Sequence, residues 1–207
     1  MIKSSSNHWN NVFKNAKDEQ LGWYEDEAKQ TSKLLDFVPT LEKSSVFIPG
    51  VGTSVLVEEL CLSGCKLILN DISIEALERL KEKLGNKSDD VMWICQDISN
   101  PLKDDIPSID VWIDRAVLHF LLEEADIQGY FNNLKDNLRS GGFVLFAEFS
   151  ITGVNRCAGL PLHQYSTNEL SNRLGEEFKL VEEEEYDYIN MDGDKRPYLY
   201  ALYRRED

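Results

Sequence analysis

Apolar runs and the polar turns between them divide most of the chain into alternating strands and helices. Ser45-Val46-Phe47-Ile48 reads as a short buried strand, and Pro49-Gly50-Val51-Gly52-Thr53-Ser54 as a tight loop after it. Val55 to Leu62 reads as a helix stopped by Ser63-Gly64. Lys66 to Leu69 is a second strand closing on Asn70-Asp71. Ser73 to Leu84 predicts a helix with Ile74, Leu77, Leu80 and Leu84 on one face, and Ser73 suits its N-cap. Val91 to Cys95 is a third strand ending in Gln96-Asp97, and Ile109 to Ile113 a fourth ending in Asp114-Arg115. A helix centred on Tyr130-Phe131 runs to Leu138, and Ser140-Gly141-Gly142 turns the chain into a fifth strand, Phe143 to Phe149. Glu177 to Ile189 and Tyr198 to Arg204 read as two strands joined by a turn over 190–194, hence an antiparallel pair. Ahead of all this, residues 8–24 are rich in Trp, Asn and Lys and end in Leu21-Gly22-Trp23-Tyr24. A helical segment follows over 25–38, with Pro39 as its stop.

Strand–helix alternation predicts an α/β fold, a parallel sheet with helices on both faces. Five parallel strands followed by an antiparallel pair point away from a plain dinucleotide domain. The length of 207 residues suits one domain with a terminal extension. Lys and Arg total 22 against 37 Asp and Glu, a net charge of −15. That balance argues against nucleic acid and against an anionic membrane surface, because both need a basic face. It leaves small molecules, cations and basic protein segments as partners. No stretch approaches the length of a membrane span, and Met1 to Asn11 does not resemble a signal peptide. Cys61, Cys65, Cys95 and Cys157 form no CxxC pair, and His8, His119 and His163 are scattered, so no metal site is expected. The simplest compartment is the cytoplasm, with reduced thiols.

In an open α/β sheet the ligand lies at the carboxyl ends of the strands. The first end carries Gly50 and Gly52, where absent side chains let the backbone approach a ligand. The second carries Asp71, a carboxylate able to accept both hydroxyls of a ribose. The third carries Asp97 and Ile98, suited to an exocyclic amine and an adenine face, and the fourth carries Asp114 and Arg115. Each Asp has a plainer alternative as a helix cap or turn former. Val55 takes the place of the third glycine of a G-x-G-x-x-G fingerprint, and no phosphate-loop Lys follows, so a nucleoside ligand without phosphates fits better.

These residues, in this order, resemble the class I S-adenosylmethionine-dependent methyltransferases over nearly the whole chain. The resemblance implies a Rossmann-like fold with a mostly parallel seven-stranded sheet, an antiparallel C-terminal pair and helices on both faces. It makes Val46 to Ser54 the first cofactor motif, including Thr53 and Ser54, and gives Asp71 and Ile72 to the ribose and Asp97 and Ile98 to the adenine. Asp114 ends its strand beside the methionine portion, and Arg115 is among the cofactor-binding residues. Leu138-Arg139-Ser140-Gly141-Gly142 is similar to the family's Leu-x-Pro-Gly-Gly turn, with Ser140 for proline. Asp114-Arg115-Ala116-Val117-Leu118-His119-Phe120-Leu121 resembles a subgroup with Asp-Arg-Ala-x-x-His-Phe-Leu after strand four. That subgroup also carries an N-terminal His-Trp and Trp-Tyr, here His8-Trp9 and Trp23-Tyr24, which puts Trp9 and Trp23 over the cofactor or on a sheet edge. Residues 1–40 then form a helical lid and 41–207 the methyltransferase domain. Two positions depart from the pattern. Ile48 stands where an acid usually helps hold the cofactor's amino group, leaving that ammonium to backbone carbonyls or Asp114, and Ser54 replaces the third glycine.

Methyl transfer from a sulfonium needs alignment and exclusion of water, and a base only where the nucleophile must lose a proton. His119 is the leading base candidate, against a packed histidine that caps a loop. Arg115 either orients an acidic substrate or pairs with Asp114. His163, after strand five, is a second candidate. Cys157 reads as a packing thiol. Glu182 to Glu185 reads as a solvated strand face, with attraction of a basic substrate as the other reading. The leading function is methyl transfer to a small-molecule acceptor. The alternatives are a protein lysine methyltransferase, favoured by the acidic surface, and a non-catalytic binding or scaffold module, favoured by Ile48 and Ser54.

Overall fold

The computed structural model describes residues 4–103, 105–191 and 193–206. Asp192, within the turn read over 190–194, and Met1 to Lys3 lie outside the described residues. Among the described residues nine strands are present: β1 (Ser45–Ile48), β2 (Lys66–Asp71), β3 (Met92–Cys95), β4 (Ile109–Arg115), β5 (Leu138–Phe149), β6 (Arg156–Cys157), β7 (Leu160–Pro161), β8 (Phe178–Ile189) and β9 (Lys195–Arg205). The α-helices are α1 (Ser6–Asn15), α2 (Lys29–Leu35), α3 (Leu56–Leu62), α4 (Ile74–Leu84), α5 (Glu124–Asn137) and α6 (Thr167–Leu174).

Seven strands form one sheet in the order β3-β2-β1-β4-β5-β9-β8. β1 to β5 pair in parallel, and β9 runs antiparallel to both β5 and β8. The central strands read as continuous apolar runs because both of their faces are covered. Val46, Leu67, Leu69, Val111, Ile113 and Leu145 face one way, against α2, α3 and α4. Phe47, Ile68, Trp112, Val144 and Phe146 face the other way, against α5 and α6. Chain order reverses between β1 and β4, which opens a crevice at their carboxyl ends. Among the described residues, no helix is long and apolar enough to cross a membrane.

Several local expectations shift. The helix over 25–38 shortens to α2, and Glu25 to Ala28 lie outside it. Ile74 is 40% exposed, and Ala76 fills the inward position beneath an aromatic cluster instead. Ser140-Gly141-Gly142 lies within β5 as an irregularity: Leu138 pairs with Ile109, and the ladder resumes at Phe143 with Val111. Ser166 caps α6, its hydroxyl accepting from the Glu169 amide at 3.2 Å. Glu184 is not a freely solvated charge, since Gln30 and Lys33 both reach its carboxylate.

Ser73 caps α4, accepting from the Ala76 amide at 3.2 Å, and its hydroxyl donates to Asn10 Oδ1 at 2.8 Å. Ser73→Ala is expected to cost about 1 kcal/mol, lowering Tm by about 2–4 °C in a thermal melt.

Candidate active site

The loop after β1 turns on two glycines in the left-handed region, Gly50 at φ 48° and Gly52 at φ 55°. A Cβ on Gly50 would stand 2.3 Å from Val117 Cγ2, so the loop passes directly under the turn that follows β4. The Gly52 amide donates to Asp71 at 2.8 Å, and the Ser73 amide donates to its other oxygen at 2.8 Å. The Ile72 amide is a third donor, which leaves the carboxylate one of its roughly four acceptor sites. Burial pushes the Asp71 carboxyl up to about 6, against the three backbone amides that hold it down. Asn70 bonds the carbonyls of Ile94 and Gln96, fixing the end of β2 against β3. Asp97 accepts from the Ser99 amide and hydroxyl at 2.9 and 2.7 Å, and Ile98 is buried beside it. Gly50, Gly52, Thr53, Ser54, Asp71, Ile72, Asp97 and Ile98 all line one open cleft.

β4 delivers its residues to two sides by strand alternation. Ile113 and Arg115 face the cleft. Asp114 does not: it is buried on the opposite side, accepting from the amides of Val117 and Leu118 at 3.1 and 3.2 Å. There it meets Glu148 of β5 and the Tyr130 hydroxyl, which in turn accepts from Trp112 Nε1 at 2.8 Å. The expected place of Asp114 beside the cofactor is therefore corrected, and so is its pairing with Arg115. Glu148 Oε2 stands 2.6 Å from His119 Nδ1 and accepts the His119 amide at 3.2 Å. Burial and the adjacent carboxylate push Asp114 well above the usual range, and burial pushes Glu148 up to about 8. Burial lowers His119 to about 3, so its imidazole is uncharged at neutral pH. Neither ring nitrogen has a hydrogen-bond partner among the described residues, and the residue lines the cleft.

The N-terminal segment roofs this cleft. Trp9 and Phe13 of α1 pack with Trp23 and Phe120; Trp9 lies 5.6 Å from Trp23 and 4.9 Å from Phe120, ring centre to ring centre. Arg79 of α4 anchors the roof through Ala16 O at 3.0 Å, Asp18 at 2.8 Å and Phe13 O. The strap behind it, Trp23 to Glu25, is tied to the sheet. Arg115 donates to Trp23 O at 3.1 Å and pairs with Glu25 at 2.8 Å, and the Tyr188 hydroxyl donates to Tyr24 O.

His163 is not brought to the cleft. Its Nε2 pairs with Glu169 at 2.9 Å, and its amide donates to His119 O at 2.8 Å, so it props the loop that carries His119. Cys157 lines the cleft as a buried thiol, raised by burial and touching Arg196. Four residues escaped the sequence reading: Phe13, Glu25, Phe120 and Glu148. Glu148 had a legible signal, an acid inside the apolar run Phe143 to Phe149. Among the described residues, no group of three His, Cys, Asp or Glu side chains is placed to hold a metal ion.

Comparison with known proteins agrees with this geometry. Residues 48–146 match the model of a methyltransferase domain family. No curated protein matches the sequence. Solved structures share the fold. The N-methyltransferase NodS from Bradyrhizobium japonicum WM9, in complex with S-adenosylhomocysteine, is 17% identical with a TM-score of 0.71, over 96% of this chain and 98% of its own. The 1,6-didemethyltoxoflavin-N1-methyltransferase from Burkholderia thailandensis is 16% identical with a TM-score of 0.68, over 98% of this chain and 84% of its own. An S-adenosylmethionine-dependent methyltransferase from Anabaena variabilis is 13% identical with a TM-score of 0.76, over 97% and 93%. The chain thus has the class I methyltransferase fold, with a methyltransferase-domain match across the loops that build its cleft.

Proposed function

We propose that the protein is an S-adenosylmethionine-dependent methyltransferase acting on a small-molecule acceptor. The observation that carries this reading is Asp71, buried at the end of β2, lining the cleft, with the Gly50–Gly52 loop bonded to it. S-adenosylmethionine, when bound, supplies a methyl group on a sulfonium. Asp71 accepts from the ribose, and Asp97 with Ile98 takes the adenine. Trp9, Phe13, Trp23 and Phe120 exclude water and present aromatic faces, which favour a cation.

For an acceptor that must lose a proton, His119 takes it at Nε2. Glu148, whose Oε2 stands 2.6 Å from Nδ1, backs the ring on its other side. Residues 1–40 act as a lid over the domain formed by 41–207. A small acceptor is favoured because this lid narrows the cleft, and because the named neighbours include an enzyme acting on didemethyltoxoflavin.

Incubation with methyl-labelled S-adenosylmethionine and panels of thiols, amines, carboxylates and Lys-rich proteins tests the reading. Label is expected in a small-molecule product. Label found only on the Lys-rich proteins would transfer the proposal to lysine methylation.

A further inference from the structure

The cleft contains an ion pair that the nucleoside end does not use. We propose that Glu25 and Arg115 form the receptor for an α-amino-carboxylate, Glu25 taking the ammonium and Arg115 the carboxylate. The inference rests on the cofactor reading above and assigns the methionine end of that cofactor.

Three observations lead to it. First, no carboxylate at the ends of β1 and β4 meets the ammonium. Ile48 is apolar, and the Asp114 carboxylate lies on the far side of β4, bonded to the amides of Val117 and Leu118. Second, Glu25 lines the cleft beside the end of β4. Of the other acids lining it, Asp71 and Asp97 close β2 and β3, and Asp126 stands in the first turn of α5. Third, the Arg115 guanidinium is not fully used, although the Tyr200 hydroxyl also bonds it. Its Nη1 bonds Trp23 O, its Nη2 faces Glu25 at 2.8 Å, and its Nε has no hydrogen-bond partner among the described residues. The Tyr188 and Tyr198 rings, each 5.8 Å from the guanidinium carbon, hold its plane.

A zwitterion completes this arrangement. Its ammonium meets the Glu25 carboxylate and its carboxylate meets the Arg115 fork, so four charges alternate in sign around one small area. Charge-assisted bonds of this kind are the strong ones in a partly buried site. Because Glu25 belongs to the strap, occupying this receptor also fastens the roof.

Calorimetric titration with S-adenosylhomocysteine and with 5′-methylthioadenosine separates the two ends of the ligand, since the second lacks the amino acid. Glu25→Gln is expected to weaken S-adenosylhomocysteine about tenfold or more and to change 5′-methylthioadenosine by less than about twofold. Tyr188→Phe removes the hydroxyl that ties Tyr24 without touching the ion pair, and is expected to affect both ligands equally. A Glu25→Gln variant that weakens both ligands equally, or neither, overturns the assignment while the cofactor reading stands. Wild-type protein that binds neither ligand overturns both.

Discussion

Asp71→Asn is expected to weaken S-adenosylhomocysteine binding by about ten- to a hundredfold. The change removes one negative oxygen and keeps the volume. Hydrogen bonds to a charged group contribute about 1.5–3 kcal/mol, and each 1.4 kcal/mol is a factor of about ten. The amide also sets a donor against the amide of Gly52 or of Ser73, both of which now donate to the carboxylate. The pH dependence gives a second signature. Burial holds the Asp71 carboxyl near about 6, and the charged form is the better acceptor for ribose hydroxyls. Wild-type affinity therefore rises with pH and levels off above that value, whereas Asp71→Asn is flat over the same range. Stability of the ligand-free protein moves the opposite way. The folded-state pKa lies above the unfolded value of 3.8, so this contribution is full below 3.8 and is lost as pH rises through about 6. Titration at several pH values, with melts of both proteins, tests both trends; parallel curves for wild type and variant would contradict them.

Gly50→Ala has the other large effect. The position sits at φ 48°, and the new Cβ would lie 2.3 Å from Val117 Cγ2. The left-handed backbone alone costs about 1–2 kcal/mol with a side chain, and the overlap brings the loss to about 3 kcal/mol or more. The loop or Val117 must shift to relieve the overlap, and both line the cleft, so S-adenosylhomocysteine affinity falls with stability. Val117→Ala in the same chain removes the atoms that clash but not the backbone cost. The double variant should regain part of the loss, with a coupling of about 1 kcal/mol or more in a double-mutant cycle. Additive effects would show that the loop and the turn after β4 do not touch.

How much of this was legible depended on the distance over which each feature is determined. The five parallel strands were readable because Val46 to Ile48, Leu67 to Leu69 and Val111 to Ile113 are apolar on both faces. Gly50, Gly52, Asp71 and Asp97 followed as strand ends, since topology alone carries them to one edge. The side on which Asp114 lies was also legible in principle. Between Ile113 and Arg115 on a strand, it must point away from both. α1 was not readable: Trp9 and Phe13 are its only buried positions, and the helix is held from outside by Asn10 at Ser73 and by Arg79. The Glu25–Arg115 pair joins a polar strap to a strand 90 residues away, and no local pattern encodes such a contact.

The most direct measurement is calorimetric titration of the wild-type protein with S-adenosylhomocysteine at neutral pH. The account predicts saturable binding at one site per chain, with micromolar affinity of about −8 kcal/mol. A folded protein, verified by a cooperative melt, that gives no binding heat and no ligand-induced rise in Tm would contradict it.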